Sequence, residues 1–357
     1  MCPDRLMAYC TLVPVLAFSI DPSVFWPYAA GAAIVIIGLP VVMMGAARRA
    51  GGLDKLAAFG PLLFAIAMAV FGADHFVTAG FVARIIPSWI PWRLFWAYFV
   101  GVGLVAGALS LATTIRWRLA AASFALMFLI FELTMHIPNL VAVPHSKARL
   151  TLLLRDMPLL AGCLAFAASQ SREATAPGVR SGALFSPLAG KPLVGNPLAG
   201  NPLVARRLVA AACFLFAIPI GIFGVEHFLN PDFAPGIPQD NPGIKIPMPS
   251  WLPAHVLWIY PTGSIFVLCA IAIITRRYAR TGAVLIGATI LVIIALVYIP
   301  LKIARAGDVN GGLNYLCIHF ALAGSALMLA GALPSHSAAP AAVPEMKLPG
   351  MDPVANS

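Results

Sequence analysis

The sequence predicts an all-α polytopic membrane protein made of two parallel four-helix transmembrane repeats plus one extra N-terminal span. Three observations predict it. Apolar residues make up 61% of the 357 positions and charged ones 10%, with a mean hydropathy of +0.91; soluble domains carry nearer a quarter charged residues. Apolar runs of about twenty residues, enough to cross ~30 Å of hydrocarbon, recur along the whole chain. The stretch PSWIPWRLFWAYFVG, Pro87 to Gly101, also returns as PSWLPAHVLWIYPTG, Pro249 to Gly263.

The repetition sets the architecture. Pro87, Ser88, Trp89, Pro91, Trp96, Tyr98 and Gly101 meet their identical partners at a single offset of 162 residues. The same offset pairs Arg118 with Arg280, Ile137-Pro138 with Ile299-Pro300, and Leu160-Ala161-Gly162 with Leu322-Ala323-Gly324. A register held without a gap over about seventy-five residues marks an internal duplication. Upstream, Gly72 to Phe76 (GADHF) answers Gly224 to Phe228 (GVEHF) at an offset of 152, so the second copy carries a ten-residue insertion between its His-Phe and its Pro-Ser-Trp.

In chain order, residues 1–52 form an N-terminal segment. Within it, 6–20 have the outline of a signal peptide with a small-residue site at Ala17-Phe18-Ser19. Pro14 and the thin positive region favour an uncleaved, partly buried segment. The first span runs from Phe25 to about Ala47 and closes at Arg48-Arg49. The first repeat, 53–169, has spans near 55–77, 92–114, 118–139 and 150–169. A Pro/Gly-rich linker, 170–205, holds the pentapeptide run SPLAG, KPLVG, NPLAG, NPLVA; a proline at every fifth position denies it a helix or a sheet interior. The second repeat, 206–333, has spans near 206–228, 253–275, 279–300 and 312–333, and 334–357 read as a disordered tail.

Loop charges sort by sign. Arg48, Arg49 and Lys55, then Arg116 and Arg118, then the Arg172-to-Arg207 segment, then Arg276, Arg277 and Arg280 fall on one side, which the positive-inside rule places in the cytoplasm. The expectation is a multi-pass protein of a bacterial inner membrane, N-terminus outside and C-terminus cytoplasmic, with both His-Phe and both Pro-Ser-Trp motifs on the outer side. Four spans separate equivalent points, and four is even, so the copies sit parallel about a pseudo-twofold along the membrane normal. The net charge of +10 therefore reports topology. No basic run interleaves with aromatics, so nucleic acid is not expected as a partner. The six cysteines stand singly with no C-x-x-C, which argues against a dithiol redox centre or a thiolate zinc site.

Ionisable side chains inside a membrane are costly and point to function when a partner can be named. Here they are Asp74 and His75, Glu132 and His136, Arg155 and Asp156, Glu226 and His227, and His319. Glu132 and His136 are spaced i, i+4 on one helix face. Arg155 enters on the next helix from the same side, so a buried Glu132–Arg155 pair is expected, with His136 above it and His75 across. A carboxylate and an imidazole suit proton exchange with a polar head group, such as that of a quinone or a small organic acid. The competing expectation is a packing clamp between helices. At offset 162 the second copy has Ile294, Tyr298, Cys317 and Ile318 in these places, so it is scaffold or a differently tuned pocket. Haem ligation by His75 with His136, or His227 with His319, has no diagnostic spacing, and no metal is expected, because Glu132-x-x-x-His136 is not the Glu-x-x-His of di-iron bundles. Trp89, Trp92, Trp96 and Tyr98 read as interfacial anchors.

Asp74-His75-Phe76 ending a first span, Pro87 to Gly101 opening a second, and Leu153 to Gly162 with Asp156 in a fourth resemble the DoxX-like membrane proteins. The first copy matches through its four spans. The second matches in its second span and at Ala323-Gly324 and lacks the fourth-span acid. The typical member is a single four-helix unit, so this chain resembles a tandem fusion. The resemblance implies an accessory role in a quinone-linked membrane complex, with quinone and other redox subunits as partners beside the lipid bilayer. The missing C-x-x-C separates the chain from the relatives that handle disulfides. The alternative, from another class, is a small-molecule transporter or lipid-binding protein with its cavity between the repeats. No enzyme activity is read from these residues.

Overall fold

The computed structural model describes residues 21–169, 201–231, 233–234, 246–247, 251–252, 254, 256–304 and 313–334. The signal-peptide outline, the pentapeptide run as far as Gly200 and the tail beyond Pro334 lie outside the described residues.

Nine helices among the described residues are long and apolar enough to cross a membrane. We number their main α-helical segments α1 (Pro22–Met44), α2 (Gly60–Val77), α3 (Arg93–Thr113), α4 (Trp117–Phe131), α5 (Lys147–Ser169), α6 (Pro202–Leu229), α7 (Val256–Ile274), α8 (Ala279–Ile293) and α9 (Asn314–Ala332); the spans of α4 and α8 run on to Ala142 and Ile303. A two-residue antiparallel pair, Phe233–Ala234 with Ile246–Pro247, lies in the insertion of the second copy. The chain is an all-α integral membrane protein.

Local chemistry sets the helix ends. Asp21 caps α1 by accepting from the Ser23 amide at 2.9 Å. Asn201 does the same for α6, accepting from the Leu203 amide at 2.9 Å, with Pro202 in the first helical position, where a missing N–H costs nothing. The helix thus begins inside the last pentad of the run, earlier than the span expected from 206. The junction between α3 and α4 turns on left-handed Thr114 and Arg116 (φ 59° and 50°), and that between α7 and α8 on Arg276 and Tyr278 (φ 61° and 57°). Trp92 and Ala254, before α3 and α7, share the same conformation (φ 53° and 49°). All three pairs fall at offset 162.

The same offset carries the most unusual backbone feature. Glu132–His136 and Ile294–Tyr298 each form one turn of π-helix, continued by α-helix over Ile137–Ala142 and Ile299–Ala304. The cause is the repeated Ile-Pro. Pro138 and Pro300 have no N–H and crowd the carbonyl four residues back, and a widened turn relieves that conflict. The Ile137 and Ile299 amides accordingly reach back five residues, to the Glu132 and Ile294 carbonyls.

Helices α5 and α9 make the main contacts between the first and second halves of the chain. α5 packs on α6, α9 packs on α2, and α5 crosses α9. Hydrophobic burial does not drive helix association in lipid, so close packing of small residues must do it. A Cβ on Gly162 would stand 2.6 Å from Ser325 Cα, and one on Gly60 would stand 2.8 Å from the Leu327 Cβ. Arg280 locks one joint. Its Nε donates to Asp54 Oδ1 at 3.0 Å, and its Nη1 donates to the Ala330 and Leu333 carbonyls at 3.0 and 2.6 Å, capping α9. The extra helix α1 lies against α2 and α3.

Candidate functional site

The widened turn after α4 faces α5, and a polar cluster forms there. Asp156 is the hub. His136 Nε2 lies 3.1 Å from its Oδ2, and Arg155 Nε donates to its Oδ1 at 2.9 Å. Asp156 is 6% exposed and Glu132 4%. Both Glu132 oxygens are buried without a hydrogen-bond partner among the described residues, although the carboxyl is near enough to feel the charges of Asp156 and Arg155. Buried polar groups are nearly always bonded, so an orphan carboxyl asks for an explanation.

This arrangement corrects the expected pairing. Arg155 does not meet Glu132; its guanidinium turns to the adjacent Asp156, which His136 grips from the other side. In a regular helix Glu132 and His136 would point the same way. The π turn spanning them also keeps positions four apart on one face; His136 bonds Asp156 on α5, and Glu132 is left unbonded.

His75 is set elsewhere. Its Nδ1 donates to the Phe71 carbonyl at 2.7 Å, and its Cβ sits 2.9 Å from where a Gly101 Cβ would stand, in the α2–α3 seam. His227 repeats this, with Nδ1 2.7 Å from the Phe223 carbonyl, and His319 does so with the Tyr315 carbonyl at 2.7 Å. Glu226 accepts from Asn230 Nδ2 at 2.6 Å. The structure therefore brings together Glu132, His136, Arg155 and Asp156. His75, Glu226, His227 and His319 bond four residues away along their own helices. No group of three or more His, Cys, Asp or Glu residues among the described ones is placed to hold a metal ion.

Two features escaped the sequence reading. Tyr298, which stands at the position that corresponds to His136, packs on His319 with ring centroids 4.1 Å apart and the planes tilted by 30°. A hollow in the second unit is lined by His227, Thr262 and Thr289 among apolar side chains. Comparing Met127 with Thr289 at the repeat offset was the available signal. An apolar cleft of about 610 Å³ between α1, α2 and α3, lined by Trp26, Ala33, Ala73 and Phe76 among others, faces lipid and offers little to orient a ligand.

No family model matches the chain, and no curated protein or solved structure is similar to it. The chain is a polytopic integral membrane protein with a buried pair of acids, Glu132 and Asp156, beside an imidazole and a half-buried guanidinium.

Proposed function

We propose that the protein is an accessory subunit of a quinone-linked complex in a bacterial inner membrane, a tandem DoxX-like fusion that holds a polar head group at Glu132. The orphan Glu132 carboxyl carries this reading. Asp156 is satisfied by His136 and Arg155, so Glu132 is the member left to bond a ligand. As the acid it donates to a quinone carbonyl, and as the carboxylate it accepts from a quinol hydroxyl. The His136–Asp156 contact beside it provides a place to hold the exchanged proton. The transporter reading has less support, because α5 and α9 touch backbone to backbone where a cavity between the units would have to lie.

The test is to purify the protein in mild detergent, extract its lipids and identify quinones and attached chains. A quinone should accompany the parent and be lost from Glu132→Leu while the variant stays folded. Retention of the quinone in that variant would reduce the cluster to packing.

A further inference from the structure

The hollow in the second unit is separate from this cluster. We propose that it is a second ligand site, which binds the hydroxyl of a ring-sized, otherwise apolar molecule dissolved in the membrane. It lies between α6, α7 and α8, with a volume of about 70 Å³, several times what one water needs and about half of the ~150 Å³ that encloses a benzene ring, so the hydroxyl end enters and the apolar remainder lies in the open mouth. Its walls include His227, Trp258, Thr262, Thr289, Ile293 and Val297.

The polar group in it is built in. His227 is 2% exposed, and its Nε2 is buried without a hydrogen-bond partner among the described residues. The other ring nitrogen fixes the chemistry. Nδ1 is held by the Phe223 carbonyl, and a carbonyl only accepts, so the proton sits on Nδ1. The neutral ring then presents Nε2 as an acceptor. The ligand must bring a donor: a hydroxyl fits, and a ketone or ether oxygen does not. Edge-on packing against Phe266, at 5.6 Å and 85°, holds the ring in place.

The corresponding positions of the first half carry bulkier or less polar side chains. Where the second has Thr262, Thr289, Ile293 and Val297, the first has Val100, Met127, Phe131 and Met135. Each exchange shortens a side chain or adds a hydroxyl, and all four line one hollow. Trp258 and Leu296, also in its wall, are 44% and 37% exposed, so the mouth opens toward the lipid-facing surface.

The experiment uses the full chain in detergent with ¹⁵N-labelled histidine, titrated with 4-methylphenol, p-xylene and 4-methylcyclohexanone. 4-Methylphenol should shift one histidine Nε2 resonance saturably, binding at least tenfold more tightly than the hydrocarbon or the ketone. That resonance should be missing from His227→Phe. Thr289→Met, which restores the first-unit side chain and leaves His227 in place, should keep the resonance and weaken binding at least tenfold. Glu132→Leu should leave the shift unchanged, which separates this site from the cluster. Equal binding of p-xylene or the ketone, no saturable shift, a shift that survives in His227→Phe, or parental affinity in Thr289→Met would each overturn the proposal.

Discussion

His136 of the π turn and Asp156 of α5 make a 3.1 Å contact between the third and fourth helical segments of the first unit. Asp156→Leu leaves His136 and Arg155 without their shared anion. Removing one member of a buried pair costs about 3–5 kcal/mol. Arg155, with a side chain 36% exposed, rehydrates in part, so about 2–3 kcal/mol is expected here. Unfolding of the variant in detergent, followed by circular dichroism, measures it.

Glu132→Leu should behave oppositely. Its carboxyl is buried with no bond to lose, so the change should be neutral or stabilising by about 1–2 kcal/mol in the ligand-free protein. A loss as large as that of Asp156→Leu would mean that Glu132 is bonded after all.

Gly162→Leu should separate the units. The new side chain starts 2.6 Å from Ser325 Cα, backbone that cannot swing aside, and overpacking of this kind costs about 1–3 kcal/mol or more. Gly103→Leu is the control, since nothing lies within 4 Å of a Cβ there. A lowered melting temperature for the first alone is the expected result, and equal melting of the two would sink it.

Arg280→Ala should cost about 1–3 kcal/mol, because it removes a charged donor from Asp54 and from two carbonyls at the end of α9. Arg277→Ala, at an exposed neighbour, should cost almost nothing. The difference in their melting temperatures is the measurement.

Orientation in the membrane is tested with cysteines introduced at three exposed or boundary positions. Ser88→Cys and Ala254→Cys should react with an impermeant thiol reagent in intact cells, above the parent's background, and Thr114→Cys should not. Labelling at Thr114 alone would invert the topology.

The spans were legible because apolar length and loop charge speak directly about a membrane. The segment expected at 92–114 is helical over Arg93–Thr113, and that expected at 150–169 over Lys147–Ser169. The start of α6 was missed although Asn201-Pro202 is a capping signal, because the two residues also complete the proline run. The cluster was legible in membership and not in wiring. Spacing places Glu132 and His136 on one face but does not say which of them bonds, and Arg155 turned to its own neighbour Asp156 rather than to Glu132. The π turn was not legible either: Pro138 was its visible cause, but a proline alone does not say whether a helix will kink, end or widen. His75 was misplaced for another reason: sequence gives a residue's depth in the bilayer but not the seam its helix faces.

The Arg280–Asp54 lock exists at one joint only. At the corresponding positions of the other joint stand Arg118 and Arg206, two cations that cannot bond each other; the Arg118 guanidinium lies over the Trp117 ring at 5.5 Å. Two identical chains in a twofold pair would have to carry the same bond at both joints or at neither. Joining the halves in one polypeptide lifts that restriction. The two joints are consequently held by different contacts, and a partner or a condition that competes for Asp54 acts at the Arg280 joint alone.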